Sequence, residues 1–381
     1  MEKWIQEEAE NYTKETLFLL KIKQLKLKNY RNYDLLELDF DPSTNILYGD
    51  NAQGKTNILE SIYMCGTTKS HRGTKDRDMI RFGQEEAHIE AVIDKKGVPF
   101  EIDIHLKNNS QKGVAINKMP IRRAIELFGI VNIVFFSPED LNIIKNGPSE
   151  RRKFIDLELS QLDKVYLSDL TNYNRIVNQR NKLLKDVYDR KDLMETLDIW
   201  DLQLVNYVKK IIDRRNKFIV ELNEIVGKVH EQLTGGKEHL QIYYEPSVSS
   251  MDFETNLIKN REKDIKMKST SVGPHRDDIC FMADGLDIRK FGSQGQQRTA
   301  ALSLKLSEIE IVKKVINDTP ILLLDDVLSE IDKHRQNYLL VSISDIQTLI
   351  TCTGLDDFVN NRFHINKIMH VENGKVALPE G

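Results

Sequence analysis

Eight residues, Gly49, Asp50, Asn51, Ala52, Gln53, Gly54, Lys55 and Thr56, read GDNAQGKT and set two glycines, a lysine and a hydroxyl at the spacing G-x-x-x-x-G-K-[ST]. Glycine lets consecutive backbone N–H groups wrap a chain of phosphates, while a lysine at this place brings charge to the β- and γ-phosphates. Thr56 offers its hydroxyl to the Mg²⁺ that accompanies a nucleoside triphosphate. A second chemical element is ILLLDD, Ile321 to Asp326, an apolar run that ends in two carboxylates. Asp325 suits a grip on Mg²⁺, and Asp326 stands where a general base would orient an attacking water. Many buried strands end in aspartate, so this run gains its meaning from sharing a chain with the phosphate loop. ATP and Mg²⁺ are the expected cofactors, with Lys55 and Asp326 as the catalytic candidates and Thr56 and Asp325 as the metal ligands.

A third stretch, FGSQGQQRTAALSLKL from Phe291 to Leu306, is a turn followed by an amphipathic helix expected over 297–315. Ser293, Gly295 and Gln296 would open that helix with its positive end toward a phosphate. The same residues also fit a plain N-cap, with Ser293 serving only the helix. Arg31 and Asn32, at the end of the first strands, are placed to meet phosphates or ribose. Lys69, His71, Arg72, Lys75, Arg77 and Arg81 make one basic loop just past the phosphate-loop helix, from which His71 or Arg72 could reach the nucleotide. Solvated surface with Asp76 and Asp78 as local partners accounts for this loop equally well.

These residues need a scaffold, and the 381-residue chain is long enough for a large core or two domains. With 40% hydrophobic and 30% charged residues it reads as a globular chain. No apolar run approaches the ~20 residues of a membrane span. Three scattered cysteines, Cys65, Cys280 and Cys352, form no CxxC pair and argue for a reducing cytoplasm and against both a zinc site and a disulfide framework. A net charge of −4 excludes a protein that is basic all over, so any nucleic-acid surface must be local. Alternating apolar residues from Leu19 and again over 85–118 predict an antiparallel β section. From about Glu150 to Thr234 Gly and Pro all but vanish and apolar residues recur at helical spacing, with one long helix ended by Gly235 and Gly236. A strand at LQIYYEPSV, a hairpin around Ala283-Asp284-Gly285 and a return to alternating strand and helix follow. The expected fold is α/β: a mixed sheet plus an antiparallel β section, with an antiparallel helical arm inserted at 151–234 between two pieces of a head, 19–150 and 235–381. Residues 1–18 form an extension, read as an upstream start or as an amphipathic segment.

The turn Gly292-Ser293-Gln294-Gly295-Gln296-Gln297-Arg298, with an apolar strand and Asp-Asp shortly after, resembles the signature motif of ABC-type ATPases. That resemblance implies an ABC/SMC-type P-loop head in which one subunit's signature turn closes over the γ-phosphate held by the other. LSEID, Leu328 to Asp332, follows where such proteins have a dimer-contacting loop. Six blocks in order, LKLKNYRNY, GDNAQGKTNILESIY, KSHRGTKDRDMIRFG, FSPEDLNIIKNGPSERRKFID, VGPHRDD and SQGQQRTAALSLKLSEIE, are similar to the RecF family of bacterial recombination mediators. The likeness runs from Leu19 to the C-terminus. It implies an ATP-dependent homodimer that binds double-stranded and gapped DNA and works with RecO and RecR to load RecA. Asp326 departs from the glutamate of the wider ABC pattern. Cys352-Thr353 lies where many transporters have a switch histidine, and Ser137 lies near the usual glutamine. These departures predict slow hydrolysis that times release.

For the DNA surface the arm offers Arg175, Arg180, Lys209, Lys210, Arg214 and Arg215. Counting 151–234 gives 16 Lys and Arg against 14 Asp and Glu, a net of +2, so much of this charge also fits the solvent face of paired helices. Among the alternatives, another SMC-like chromosome or break-repair head would need far more coil than 234 − 151 + 1 = 84 residues. A transporter ATPase subunit is disfavoured by the inserted arm and the missing histidine. A nuclease of the overcoming-lysogenization type lacks room for its metal-binding domain, and a non-hydrolysing structural protein would not need Lys55, Asp325 and Asp326.

Overall fold

The computed structural model describes residues 20–187, 190, 193–355 and 365–378. The expectations for residues 1–18 lie outside the described residues. A hairpin, β1 (Leu20–Tyr30) and β2 (Tyr33–Asp39), is followed by β3 (Thr44–Tyr48), the phosphate loop and α1 (Lys55–Thr67). Then come β4 (Glu86–Lys95), β5 (Val98–Lys107), β6 (Gly113–Ile116), β7 (Met119–Pro120) and β8 (Ile133–Phe136). The middle of the chain supplies α2 (Pro148–Leu162), α3 (Lys164–Val187), α4 (Met194–Thr234), β9 (Leu240–Glu245), β10 (Asp278–Ala283), β11 (Leu286–Asp287) and α5 (Gln294–Ile316). β12 (Ile321–Asp325), α6 (Lys333–Ser342), β13 (Thr348–Cys352), β14 (Lys367–Glu372) and β15 (Lys375–Ala377) complete it.

The contacts divide the chain into two compact units. One is built from the segments up to Pro138 and from Val312 onward, the other from Glu139–Ile311. The first contains two six-stranded sheets. An antiparallel one runs β2-β1-β4-β5-β6-β7, and a mixed one runs β15-β14-β3-β13-β12-β8. In the mixed sheet every neighbour pair from β14 to β8 is parallel, and only β15 runs the other way. β12 is buried at all five positions, as the hydrophobic run ILLLD requires of a strand covered on both faces. β1 buries one face only. A register slip between Ile22 and Gln24 brings Ile22 and Leu25, three residues apart, to the core side.

The second unit holds the helices. Tyr166 near the start of α3 meets Arg215 midway along α4, and Arg180 near its end meets Asp201 near the start of α4, so the two helices run antiparallel. Their apolar stripes, Tyr173, Ile176, Val177 and Leu184 against Leu204, Val208, Ile211, Ile212 and Leu222, are buried. α4 stops at Gly235, whose φ of 63° is the left-handed cap. The unit extends beyond the helices expected for the arm: it includes the three-stranded sheet β11-β10-β9 and the start of α5. The hairpin β10–β11 turns at Asp284 and Gly285, φ 47° and 84°, the pair a tight turn with two positive φ values needs.

Candidate functional site

The phosphate loop sits between the end of β3 and the first turn of α1. Gly49 and Gly54 adopt φ of 146° and 117°, and Ala52 takes the left-handed value of 64°. A Cβ on Gly49 would lie 2.3 Å from the Val371 carbonyl oxygen, and one on Gly54 2.6 Å from both the Asn32 amide and the Tyr33 hydroxyl. Neither position accepts a side chain, so the loop is shaped by its neighbours as well as by its own sequence. Asn32 donates to the Gln53 carbonyl at 2.9 Å, and the turn after β14 donates from Asn373 N–H to the Gln53 side chain at 2.6 Å. Asn373 was not foreshadowed by any motif. Lys55 Nζ donates to the carbonyls of Gly49 and Asp50 at 2.6 and 2.9 Å, which holds the ammonium inside the loop's curve. Asp50, Asn51 and Ala52 are exposed at its rim.

β13 lies between β3 and β12, and this order brings the two aspartates to the loop. Thr56 donates to Asp325 Oδ1 at 2.7 Å and Thr351, from β13, donates to the same oxygen at 2.8 Å. Thr351 in turn accepts from the Asp326 N–H at 3.0 Å. One hydroxyl from the middle strand therefore fixes both carboxylate-bearing residues. Burial pushes the Asp325 carboxyl above its usual range. The Thr56 and Thr351 hydrogen bonds and the charge of Arg72 oppose that shift, and the neighbouring Asp326 adds to it. A carboxylate held this way favours a nearby cation, and a hydroxyl plus a carboxylate oxygen is the donor set of a hard divalent ion. The residues thus fit Mg²⁺. Asp326 has φ of 51°, a left-handed backbone that Asp tolerates better than most residues, and it turns the chain away from β12.

Arg31 is already engaged. Its guanidinium donates to both Glu60 oxygens at 2.8 and 2.7 Å, to Thr74 at 3.0 Å and to the Asp78 carbonyl at 3.0 Å. Burial alone would push Glu60 upward, but the Arg31 fork and the Ser70 hydroxyl hold its carboxyl below the usual range. Arg31 thereby ties α1, through Glu60, to the loop that follows it. Within the basic loop, Arg72 is exposed and comes within 3.5 Å of the Asn57 amide oxygen. His71 stacks on Phe135 with ring centroids 4.1 Å apart, and burial holds its imidazole at about 4.

In the second unit, Ser293 and Gln296 satisfy each other across the first turn of α5. The Gln296 N–H donates to Ser293 Oγ at 3.2 Å, and the Ser293 N–H to Gln296 Oε1 at 3.0 Å. This reciprocal box starts the helix at Gln294 rather than at 297, as expected from sequence, and is the cap that the plain reading of Ser293 anticipated. Ser293 and Gly295 remain exposed. The DNA candidates separate sharply. Arg175, Lys209, Lys210 and Arg214 are exposed, with Arg214 paired to Asp163 at 3.1 Å. Arg180 and Arg215 are not surface residues: their side chains are 0% and 1% accessible. Arg180 is held by Asp201, Asp264 and Thr270, and Arg215 by Asp156, Asp277, Tyr166 and the Pro274 carbonyl. Both are removed from the candidate DNA surface, because a guanidinium buried among carboxylates inside the unit is out of a phosphate's reach.

Residues 21–377 match the RecF/RecN/SMC N-terminal domain family. The chain is 62% identical over 357 residues to the DNA replication and repair protein RecF of Agathobacter rectalis, covering 94% of this chain and 99% of that protein. The same-named protein of Lachnospira eligens is 61% identical, with 93% and 99% covered. A solved structure of the recombination mediator RecF with ATP, described as part of the RecFOR pathway, superposes with a TM-score of 0.90 at 34% identity, covering 95% of this chain and 98% of that one. The Smc head domain of Pyrococcus furiosus aligns with a TM-score of 0.55 at 16% identity over 94% and 96% of the two chains, a likeness of fold alone.

Proposed function

The chain belongs to the RecF family of DNA replication and repair proteins, and on that premise we propose that it is an ATP-dependent DNA-binding recombination mediator. The observation that carries this reading is the triangle of Thr56, at the start of α1, Asp325 on β12 and Thr351 on β13, beside Lys55, a grouping suited to a triphosphate and its metal. Thr56 and Asp325 would hold Mg²⁺, which would offset the charge of the phosphates. Lys55 leaves the Gly49 and Asp50 carbonyls to meet the phosphates. Asp326 orients water and accepts its proton; its carboxylate, a methylene shorter than glutamate, gives slow turnover that acts as a timer. A turnover number in the tens per second, above the ~10 s⁻¹ typical of enzymes, would contradict the timer.

Ser293, Gly295 and Gln296 close over the γ-phosphate held by a second copy, so ATP drives homodimerisation. The dimer then grips double-stranded and gapped DNA by phosphate contacts without base readout. Arg175, Lys209, Lys210 and Arg214, on the arm at 151–234, supply those contacts. RecR, with RecO, converts the bound state into RecA loading at the gap in the cytoplasm. Analytical ultracentrifugation of the wild type and Lys55→Met, with and without ATP and a gapped duplex, tests the proposal. The wild type forms dimers only with ATP and Lys55→Met stays monomeric; dimers of equal strength in both would overturn it.

A further inference from the structure

The outer face of the antiparallel sheet carries side chains that the phosphate site does not use. Along β4, Ala87, Ile89, Ala91 and Ile93 point into the core, which leaves Glu86, His88 and Glu90 on the other face. β5 brings His105 directly opposite His88, and Lys107 opposite Glu86. The two imidazoles stack with centroids 4.1 Å apart and planes 17° from parallel. His105 Nε2 lies 3.0 Å from one oxygen of Glu86, and His88 Nε2 lies 3.7 Å from the other. One nitrogen from each ring and a carboxylate oxygen thus converge within 4.8 Å of one another.

We propose that His88, His105 and Glu86 bind a single divalent ion of the zinc class on this face. Two imidazole nitrogens and one carboxylate are a borderline donor set, suited to Zn²⁺ and poorly suited to Mg²⁺ or Ca²⁺, which take oxygen. Three protein donors leave a position for water. The ligands lie in the sheet interior, with β1 and β6 on either side of the β4–β5 pair, so their backbone is held before any ion arrives. Directly opposed strand residues have the short Cβ separation that lets two rings share one ion. Two lysines oppose a cation here: Lys107, half exposed, whose Nζ is 3.7 Å from a Glu86 oxygen, and Lys28 of β1, an exposed residue directly opposite His88. An exposed pair of this kind contributes at most about 1 kcal/mol, so a metal bond outweighs it. A bound ion would cross-link β4 to β5 and raise the thermal stability of the first unit.

The test uses the full chain without a polyhistidine tag and without nucleotide. Co²⁺ is titrated as the spectroscopic probe and Zn²⁺ as the competitor. The expected result is a visible band of four- or five-coordinate Co²⁺ that saturates near one equivalent, is displaced by Zn²⁺, and persists in Asp325→Asn, where the phosphate-side carboxylate is gone. His88→Ala and His105→Ala should each weaken Zn²⁺ binding by more than the ~10-fold that loss of an outer partner already costs. Absence of the band in the wild type overturns the proposal without recourse to any variant. So does its loss in Asp325→Asn, or Zn²⁺ binding unchanged in a folded His88→Asn, His105→Asn double variant.

Discussion

At the scale of single residues, Thr351 has the largest effect for its size. Its hydroxyl donates to Asp325 and accepts from the Asp326 N–H, so one side chain aligns the proposed metal ligand with the residue proposed to orient water. Thr351→Val keeps the shape of the side chain and removes both bonds, leaving a half-buried N–H without its partner at a cost of about 1 kcal/mol. The variant should keep ATP affinity within a few-fold and lose about tenfold or more in turnover, the rate equivalent of ~1.4 kcal/mol in alignment; single-turnover kinetics beside equilibrium nucleotide binding separate the two. His71 and His275 set a pH limit on stability. Burial holds both imidazoles at about 4 in the folded chain, against an ordinary 6.5. His275 also accepts from the Tyr173 hydroxyl at 2.6 Å and donates to the Thr270 carbonyl at 3.0 Å, which fixes its proton on Nε2. The unfolded chain therefore takes protons near 6.5 that the folded chain refuses until about 4, and stability falls as the pH drops through that window. Each histidine contributes about 3 kcal/mol to the fall. Denaturant midpoints measured at intervals of pH should decline between those values, and His275→Gln should flatten part of the slope. The loop from Gly49 to Thr56 was legible from sequence because a short motif fixes its backbone, and the strand ending at Asp325 because an apolar run marks it. Thr351 was not, since a threonine at the end of an apolar strand carries no local pattern.

At the scale of elements, the helices explain why two arginines were misread. Arg180 continues the run Tyr173, Ile176, Val177 and precedes Leu184. Arg215 falls between Ile211, Ile212 and Phe218. Both stand on the apolar stripe of their helix, a signal present in the sequence that a count of positive charges does not weigh. VGPHRDD, noted only as a family likeness, is the loop that receives one of them. Its Pro274 carbonyl and Asp277 accept from Arg215, while Asp277 also takes the Tyr244 hydroxyl and the Ser247 N–H. Asp278 accepts both from Arg151 on α2 and from Arg289. Gly273 permits this packing, since a Cβ there would stand 2.5 Å from the Tyr173 hydroxyl. The prediction at this scale is a contrast. Arg215→Ala strands buried carboxylates and should lower stability by about 3–5 kcal/mol. Lys209→Glu with Lys210→Glu should leave the melting temperature nearly unchanged, weaken DNA binding and reduce its dependence on salt. Thermal melts and binding isotherms across a salt series distinguish them; unchanged DNA affinity in the double variant would take this face of α4 off the DNA surface.

At the scale of the whole molecule, the triphosphate loop belongs to one compact unit and the Ser293 turn to the other. The antiparallel section and the long helix to Thr234 followed from periodicity and punctuation in the sequence, whereas the strand order of the mixed sheet came only with the structure. The extent of the second unit did not follow from sequence, because β9 and β10 join the helices through a shared buried core, Ile242, Ile279 and Phe281 with Phe218, Leu222 and Val226, and through long-range ion pairs such as Arg151 to Asp278, none of which leaves a local trace. The central claim is that a second copy's Ser293 turn encloses the nucleotide held by the first. Ser293→Arg tests it most directly. The substitution removes an N-cap worth about 1 kcal/mol, too little to unfold a 23-residue helix, and sets a bulky cation where a partner's phosphate must approach. Sedimentation with saturating ATP, beside nucleotide binding on the same sample, should find a monomer that binds ATP as the wild type does. A Ser293→Arg dimer as tight as the wild type's would contradict the account.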